Sequence, residues 1–313
     1  MTASLRLGIP LFATGLFLFL VALWFAGDAF YAHRIRVRAA APGAVRAAAA
    51  PFALNAAGTP ALLLIHGFAD GPSVFAQIAP PLAAAGFAVR AMHLSGSGVP
   101  PADMKGLAFA DWRADVDREI AALRAADPAR PIWLVGHSLG GALAYDAALR
   151  PENRVAGLVL LAPLVDVSRA RSPLLSPRQW FDLLDRLLVF TDVIESRLPK
   201  DLRDPDARAA YRTDKYVHRD VYRALFDAID AVRPRAADWR GPLLVAISAT
   251  DQIVDSSATQ FFFSATNAAP AKLSEVHAAG HVLPLDYGHA KLAEKIVRFI
   301  LESPAATNRG ALP

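Results

Sequence analysis

Trp133-Leu134-Val135-Gly136-His137-Ser138-Leu139-Gly140-Gly141-Ala142-Leu143 sets a Gly-x-Ser-x-Gly pattern directly behind an apolar, strand-length run and directly ahead of a helix-forming one. A serine on so sharp a strand-to-helix turn has strained backbone angles, and only small neighbours at Gly136 and Gly140 let strand and helix approach beneath it. Its hydroxyl then stands clear of the sheet, above the positive end of the following helix dipole, where developing negative charge is favoured. The pattern points to Ser138 as a nucleophile. A glycine-rich turn with an incidental serine is the bland alternative, and the flanking strand and helix argue against it.

The same rhythm recurs on either side of this turn. Ala61-Leu62-Leu63-Leu64-Ile65, Phe87 to Met92, Ile132 to Val135, Leu158 to Leu161 and Leu243 to Ile247 are short, mostly unalternated apolar runs, the pattern of strands buried on both faces. Between them lie helical stretches at Val74–Ala85, at Trp112–Ala125 with Val116, Ile120 and Leu123 on one face, and at Ala142–Leu149. Lys272–His277 adds a late strand and Ala290–Leu301 a closing helix. Alternating strand and helix predicts an α/β fold, with a mostly parallel central sheet flanked by helices.

A serine hydroxyl is a poor nucleophile at neutral pH. It needs a base within hydrogen-bond reach and a third group that fixes the base's tautomer. Serines on turns of this kind are followed along the chain by the acid and then by the histidine. Four histidines follow Ser138: His218, His277, His281 and His289. His281 sits after Ala278-Ala279-Gly280, in the loop between the last strand and the last helix, and is the expected base. Asp251, just past the Leu243–Ser248 strand, is the expected acid; Asp255 reads better as the N-cap of the next helix, and Asp166 is a second competitor.

An oxyanion hole needs backbone N–H donors, and losing one costs on the order of 100- to 1,000-fold in rate. Leu139 N–H is the first expected donor. Phe68 N–H, in the loop Ile65-His66-Gly67-Phe68, is the second. His66 reads as a brace for that loop, because nothing near it in sequence completes a metal-ligand set.

The stretch 166–238 breaks the strand–helix rhythm, with Pro173, Pro177, Pro199, Pro205 and Pro234 and no convincing buried strand. Trp180, Leu183, Leu184, Leu187 and Leu188 recur at helical spacing, as do Val217, Val221, Leu225 and Ile229. It is read as an insertion whose two helical faces pack on the main domain, with an edge serving as a lid.

At the other end, no residue between Arg6 and Asp28 is charged, and Leu11–Phe25 is dense in Leu, Phe and Val. That length suits a helix crossing hydrocarbon. A membrane anchor and a signal peptide are the two readings. The apolar core is long for a signal peptide and Gly27-Asp28-Ala29 is only a passable cleavage site, which favours the anchor, with Trp24 near the interface. Cleavage would instead make the protein secreted or periplasmic. Arg34, Arg36 and Arg38 after the segment bias the domain to the cytoplasmic side, whereas an uncleaved signal anchor gives the opposite side. The net charge of +4 is spread along the chain without a Lys/Arg run, so nucleic acid is not an expected partner. The chain has no cysteine, which excludes disulfides, zinc–thiolate sites and a cysteine nucleophile.

Taken in order, Leu63-Leu64-Ile65-His66-Gly67-Phe68, Ser95 to Pro101, Asp111-Trp112, Gly136 to Gly141, Asp251-Gln252-Ile253-Val254 and Gly280-His281-Val282 resemble the landmarks of the carboxylesterase and monoacylglycerol lipase branch of the α/β-hydrolases. The resemblance implies the α/β-hydrolase fold with a helical cap insertion. It also implies a Ser-Asp-His triad, no cofactor, and hydrolysis of carboxylic esters with an apolar acyl or alcohol part. No metal is expected, and a membrane anchor beside an apolar-faced lid suggests that the small-molecule acyl ester is lipid-derived. The sequence departs from that branch at Gly96-Ser97-Gly98, where a Gly-His-Gly turn is common, and in the arginine-rich insertion. The expected organisation is an anchor or signal segment at 1–30, a linker with edge strands at 31–60, a core at 61–165 and 239–304, a cap at 166–238 and a tail at 305–313. A thioesterase or amidase would use the same residues, and a catalytically silent, membrane-tethered binding or scaffold protein is the reading from another class.

Overall fold

The computed structural model describes residues 3–40, 50–197 and 199–304. Among them the strands are β1 (Phe52–Leu54), β2 (Ala61–Ile65), β3 (Ala88–Ala91), β4 (Ile132–His137), β5 (Val155–Leu161), β6 (Val193–Glu195), β7 (Tyr216–His218), β8 (Leu243–Ile247) and β9 (Ala271–Glu275). The α-helices are α1 (Ala3–Ala39), α2 (Ala79–Ala84), α3 (Phe109–Ala126), α4 (Leu139–Ala148), α5 (Pro177–Leu187), α6 (Pro205–Ala210), α7 (Arg219–Val232), α8 (Ser256–Ser264) and α9 (His289–Glu302).

Seven strands form one sheet in the order β1-β3-β2-β4-β5-β8-β9. Only β1 at the edge runs antiparallel, pairing Phe52 with Ala91, and the remaining neighbours are parallel. Every residue of β2, β4, β5 and β8 is buried, as unalternated apolar runs require of strands covered on both faces. Burying each such Leu, Ile or Val side chain contributes roughly 1.5–3 kcal/mol. α4, buried along its whole length, packs directly on this sheet. The arrangement is the α/β-hydrolase fold.

Several boundaries differ from the sequence reading. The helix expected over Val74–Ala85 is a 3-10 turn at Pro72–Phe75 followed by α2. Pro80 and Pro81 lack an N–H, so they are tolerated only in the first turn, and α2 starts just ahead of them. The N-terminal helix does not end near residue 30: it runs to Ala39, so 31–39 is helix, where a linker is expected. Of the rest of that linker, 41–49 lies outside the described residues, as does the tail from 305 onward.

Between β5 and β8 the chain forms the insertion, called the cap below. It contains α5, α6 and α7 and a small antiparallel pair, β6 with β7. β7 is fully buried, but three residues carry no readable periodicity, which is why no buried strand is visible there in the sequence. The face of α7 packs inward as expected, through Val221, Leu225 and Ile229. That of α5 does not. Leu183, Leu184 and Leu187 are exposed, a correction to the expectation that both helices bury their apolar faces on the main domain.

Candidate active site

β4 runs straight into α4, and the residue at the junction has φ 54° and ψ −119°. It is Ser138. A β-carbon on Gly136 would collide with the Gly140 carbonyl, and one on Gly140 would collide with the Ile65 carbonyl, so the turn closes only with glycine at both positions. Ser138 N–H donates to the Leu161 carbonyl at 2.9 Å, which ties the strained residue to β5.

His281 lies in the loop between β9 and α9, and Asp251 lies just past β8. His281 Nδ1–H donates to Asp251 Oδ2 at 2.8 Å. The other Asp251 oxygen accepts the Ile253 and Val254 amides at 2.8 and 2.9 Å, so the carboxylate is aimed by its own loop. Burial pushes the Asp251 carboxyl up, but the facing His281 ring and these hydrogen bonds outweigh it and hold it below the ordinary carboxylate value. For His281 burial pulls down, and Asp251, followed by Asp201 and Asp70, more than compensates, leaving the imidazole above its ordinary value.

The competitors take structural places. Asp255 caps α8 by accepting from Ser257 and Ala258, and Asp166 pairs with Arg233 at 2.8 Å. His277 is exposed beside Glu275, His218 caps α7, and His289 starts α9 with its ring on the Asp286 carbonyl.

Phe68 follows β2, and its side chain packs on Tyr222 with ring centroids 4.9 Å apart. Leu139 is the first residue of α4. His66 Nε2 accepts from Leu94 N–H at 3.1 Å, which leaves Nδ1–H to donate to the Gly67 carbonyl. Both ring nitrogens are thus engaged in bracing the loop.

Ser138, His281, Gly67 and Phe68 border one cavity of about 470 Å³. Its far walls come from the cap: Phe181 of α5, Ile194 of β6, and Tyr222, Leu225 and Phe226 of α7. Burial pushes the Tyr222 hydroxyl up to about 12, so it stays neutral in this apolar wall. Arg171, Lys200, Thr213 and Gln252 add polar groups to its lining. A concave, mostly apolar cavity with a few polar groups in its lining has the form of a small-molecule site.

A family model described as serine aminopeptidase, S33 matches residues 58–287. The chain belongs to the S33 family. It is 27% identical over 199 residues to a monoacylglycerol lipase of Mycolicibacterium smegmatis, covering 62% of this chain and 70% of that protein. It is 25% identical over 240 residues to a thermostable monoacylglycerol lipase of Bacillus sp. strain H-257, covering 76% and 89%. Among solved structures, one of the metagenome-derived lipolytic enzymes LipS and LipT superposes with a TM-score of 0.71 at 21% identity, over 82% of this chain and 99% of that one. A soluble variant of monoglyceride lipase from Saccharomyces cerevisiae, in complex with a substrate analogue, superposes at 0.69 and 17% identity, over 82% and 91%. These structural likenesses bear on the fold.

In this S33 hydrolase two further residues shape the site, and neither is visible in the sequence. His137 Nε2 lies 3.2 Å from the His281 carbonyl oxygen. A carbonyl only accepts, so Nε2 carries the proton. Burial, followed by the charge of His281, pulls the His137 pKa down to about 3, so the ring stays neutral. The motif marks this position only as x. Asp201, from the cap, accepts the Gln252 amide at 2.7 Å and the His281 amide at 3.2 Å on one carboxylate oxygen. Its carbonyl also accepts His281 N–H at 2.9 Å. A single buried cap residue therefore grips both the loop of Asp251 and the loop of His281. Asp214 and Asp220 tie the cap to the core in the same way, accepting the Gly98 and Gly106 amides at 2.8 Å each.

Proposed function

We propose that this S33 hydrolase is a monoacylglycerol lipase-like serine esterase with Ser138 as nucleophile, His281 as base and Asp251 as the group that orients the base. The observation that carries the reading is the Asp251–His281 hydrogen bond at the rim of an apolar-walled cavity that Ser138 also borders. The relatives named as monoacylglycerol lipases favour an acyl glyceride as substrate.

In this mechanism His281 Nε2 takes the Ser138 proton as the hydroxyl oxygen attacks the ester carbonyl, and the charge on the resulting imidazolium is stabilised by Asp251. The Phe68 and Leu139 N–H groups hold the oxyanion, helped by the positive end of α4. Collapse expels the alcohol, which leaves with the proton from His281. Water, deprotonated by the same imidazole, then attacks the acyl-enzyme and regenerates Ser138. The Asp201 grip keeps His281 and Asp251 in register through the cycle.

The anchor reading belongs to the same proposal. Phe12–Ala39 is long and apolar enough to cross a membrane, and almost none of its apolar stretch is buried by the rest of the molecule. With 61–165 and 239–304 as core and 166–238 as cap, the chain is an esterase held at a bilayer.

The test is turnover of a monoacylglycerol, p-nitrophenyl butyrate, an acyl thioester and an anilide by wild type and Ser138→Ala, with fluorophosphonate labelling in parallel. Glyceride and ester turnover lost in Ser138→Ala supports the reading. Undiminished turnover in the variant, or an unlabelled folded wild type, overturns it.

A further inference from the structure

α1 is one unbroken helix of 37 residues, roughly 55 Å long. Its two halves have different surroundings. Phe12, Phe17, Leu18 and Phe19 in the first half are exposed. In the second half Asp28, Ala32, Ile35 and Ala39 are buried, a stripe at steps of four, three and four residues that presents one helix face to the cap. Ile35 and Ala39 cluster there with Val193 of β6 and Tyr216 of β7.

Asp28 is the centre of this contact. A carboxylate that ends the uncharged stretch of a helix is costly to bury unless donors surround it. Here one loop of the cap supplies them. Oδ2 accepts the Val189 and Phe190 amides at 2.7 and 2.8 Å, and Oδ1 accepts the Thr191 amide at 3.1 Å and its hydroxyl at 2.6 Å. Trp24 Nε1–H donates to the Leu187 carbonyl at 3.0 Å, and Arg36 donates to the Phe190 carbonyl at 2.8 Å.

The loop that Asp28 grips continues from the exposed face of α5. Leu183, Leu184, Leu187, Val189 and Phe190 form an apolar ridge, and Phe190 meets Phe25 of α1 edge-on at 6.3 Å between ring centroids. The ridge is therefore continuous with the bare apolar turns of α1. Whatever shields those turns from water reaches the ridge as well, and an uncharged stretch of about 30 Å is shielded by hydrocarbon. An exposed apolar surface of this kind marks an interaction site. The opposite face of α5 carries Phe181, which lines the cavity, so a single helix separates the ridge from the substrate's place.

We propose that Asp28 latches the membrane helix to the cap and thereby seats the α5 ridge in the interfacial layer of a lipid bilayer, so that an acyl ester passes from the leaflet into the cavity beside α5. The proposal rests on the anchor and esterase readings above, and its test separates their failure from its own.

The chain has no cysteine, so Leu187→Cys takes one environment-sensitive label on the ridge, and Phe261→Cys, exposed on α8, takes one on the core. Full-length protein is reconstituted in phosphatidylcholine vesicles carrying a lipid quencher on the acyl chain. The expected result is quenching of the label at 187 and not of that at 261. Asp28→Ala, and Asp28→Asn as the closer mimic, should abolish quenching at 187 while the chain still floats with vesicles. The same variants should lower hydrolysis of vesicle-borne monoacylglycerol by at least about fivefold, the lower end of coupling between sites, and leave p-nitrophenyl butyrate turnover unchanged. No quenching at 187 in the wild type, equal quenching at both sites, or mutual quenching between labels at 187 that marks a second copy on the ridge would each overturn the proposal. Quenching that survives both Asp28 variants overturns the latch. Failure of the wild type to float defeats the anchor reading itself, and loss of soluble-ester turnover only in Ser138→Ala keeps the esterase reading separate.

Discussion

Replacing Asp201 with asparagine keeps its shape but removes its charge, and the consequence reaches His281. An imidazole held above its ordinary value of 6.5 stays protonated, and so useless as a base, to a higher pH than a free one. The acid limb of kcat/KM should therefore lie above that value in the wild type. Asp201→Asn removes one of the charges that raise it, so the limb should move to lower pH, which a pH–rate profile on p-nitrophenyl butyrate checks. A purely structural role for Asp201 would lower kcat/KM without moving the limb. Loosening the grip on both loops should also cost up to about a hundredfold in kcat/KM, the penalty of a misplaced catalytic group. Asp251→Asn breaks the pair directly, and kcat should fall on the order of 10⁴-fold in steady-state assays.

At the scale of elements, the strand–turn–helix of β4 and α4 is the tightest piece of the fold. Gly140→Ala drives a methyl group into the Ile65 carbonyl, and thermal unfolding should register a loss of about 1–3 kcal/mol. This element is legible in the sequence, because glycine spacing and apolar runs are local signals. So is Asp255 as the cap of α8, since an Asx residue ahead of a helix acts through the next two or three amides. α5 is the counterexample. Its helical periodicity is plain, but periodicity states that a face is apolar and not what that face meets. Phe181, on its inner side, belongs to the cavity wall, whereas Leu183, Leu184 and Leu187 are exposed. Phe181→Ala should widen the cavity and, on the proposed function, raise the ratio of kcat/KM for long over short acyl esters by roughly tenfold, the range expected for adjusting an apolar pocket.

For the whole molecule, α1 divides into a part that seeks an apolar medium and a part that packs on the cap. A variant lacking residues 1–27 should stop floating with vesicles yet keep its turnover of p-nitrophenyl butyrate, because the stripe from Asp28 to Ala39 still covers Val193 and Tyr216. The docked half also alters how the basic residues after the apolar stretch are counted. Arg36 and Arg38 pair with Asp192 and Glu195 of the cap at 3.1 and 3.4 Å, so these cations already have protein partners and weigh less in an argument about membrane sidedness.

The candidate nucleophile, the order of the candidate acid and base behind it and the parallel sheet beneath them are all written in the sequence by itself. Each depends on neighbours within one turn or one strand, or on an order along the chain that the fold preserves. Asp201, His137 and Asp28 became visible only in the tertiary structure. The groups they serve lie from 51 to 163 positions away along the chain, and a carboxylate that accepts backbone amides leaves no pattern in the side chains on either partner. Backbone N–H groups are the same in every residue but proline, so which of them a buried acid will reach is decided by how the chain returns on itself, and by nothing local.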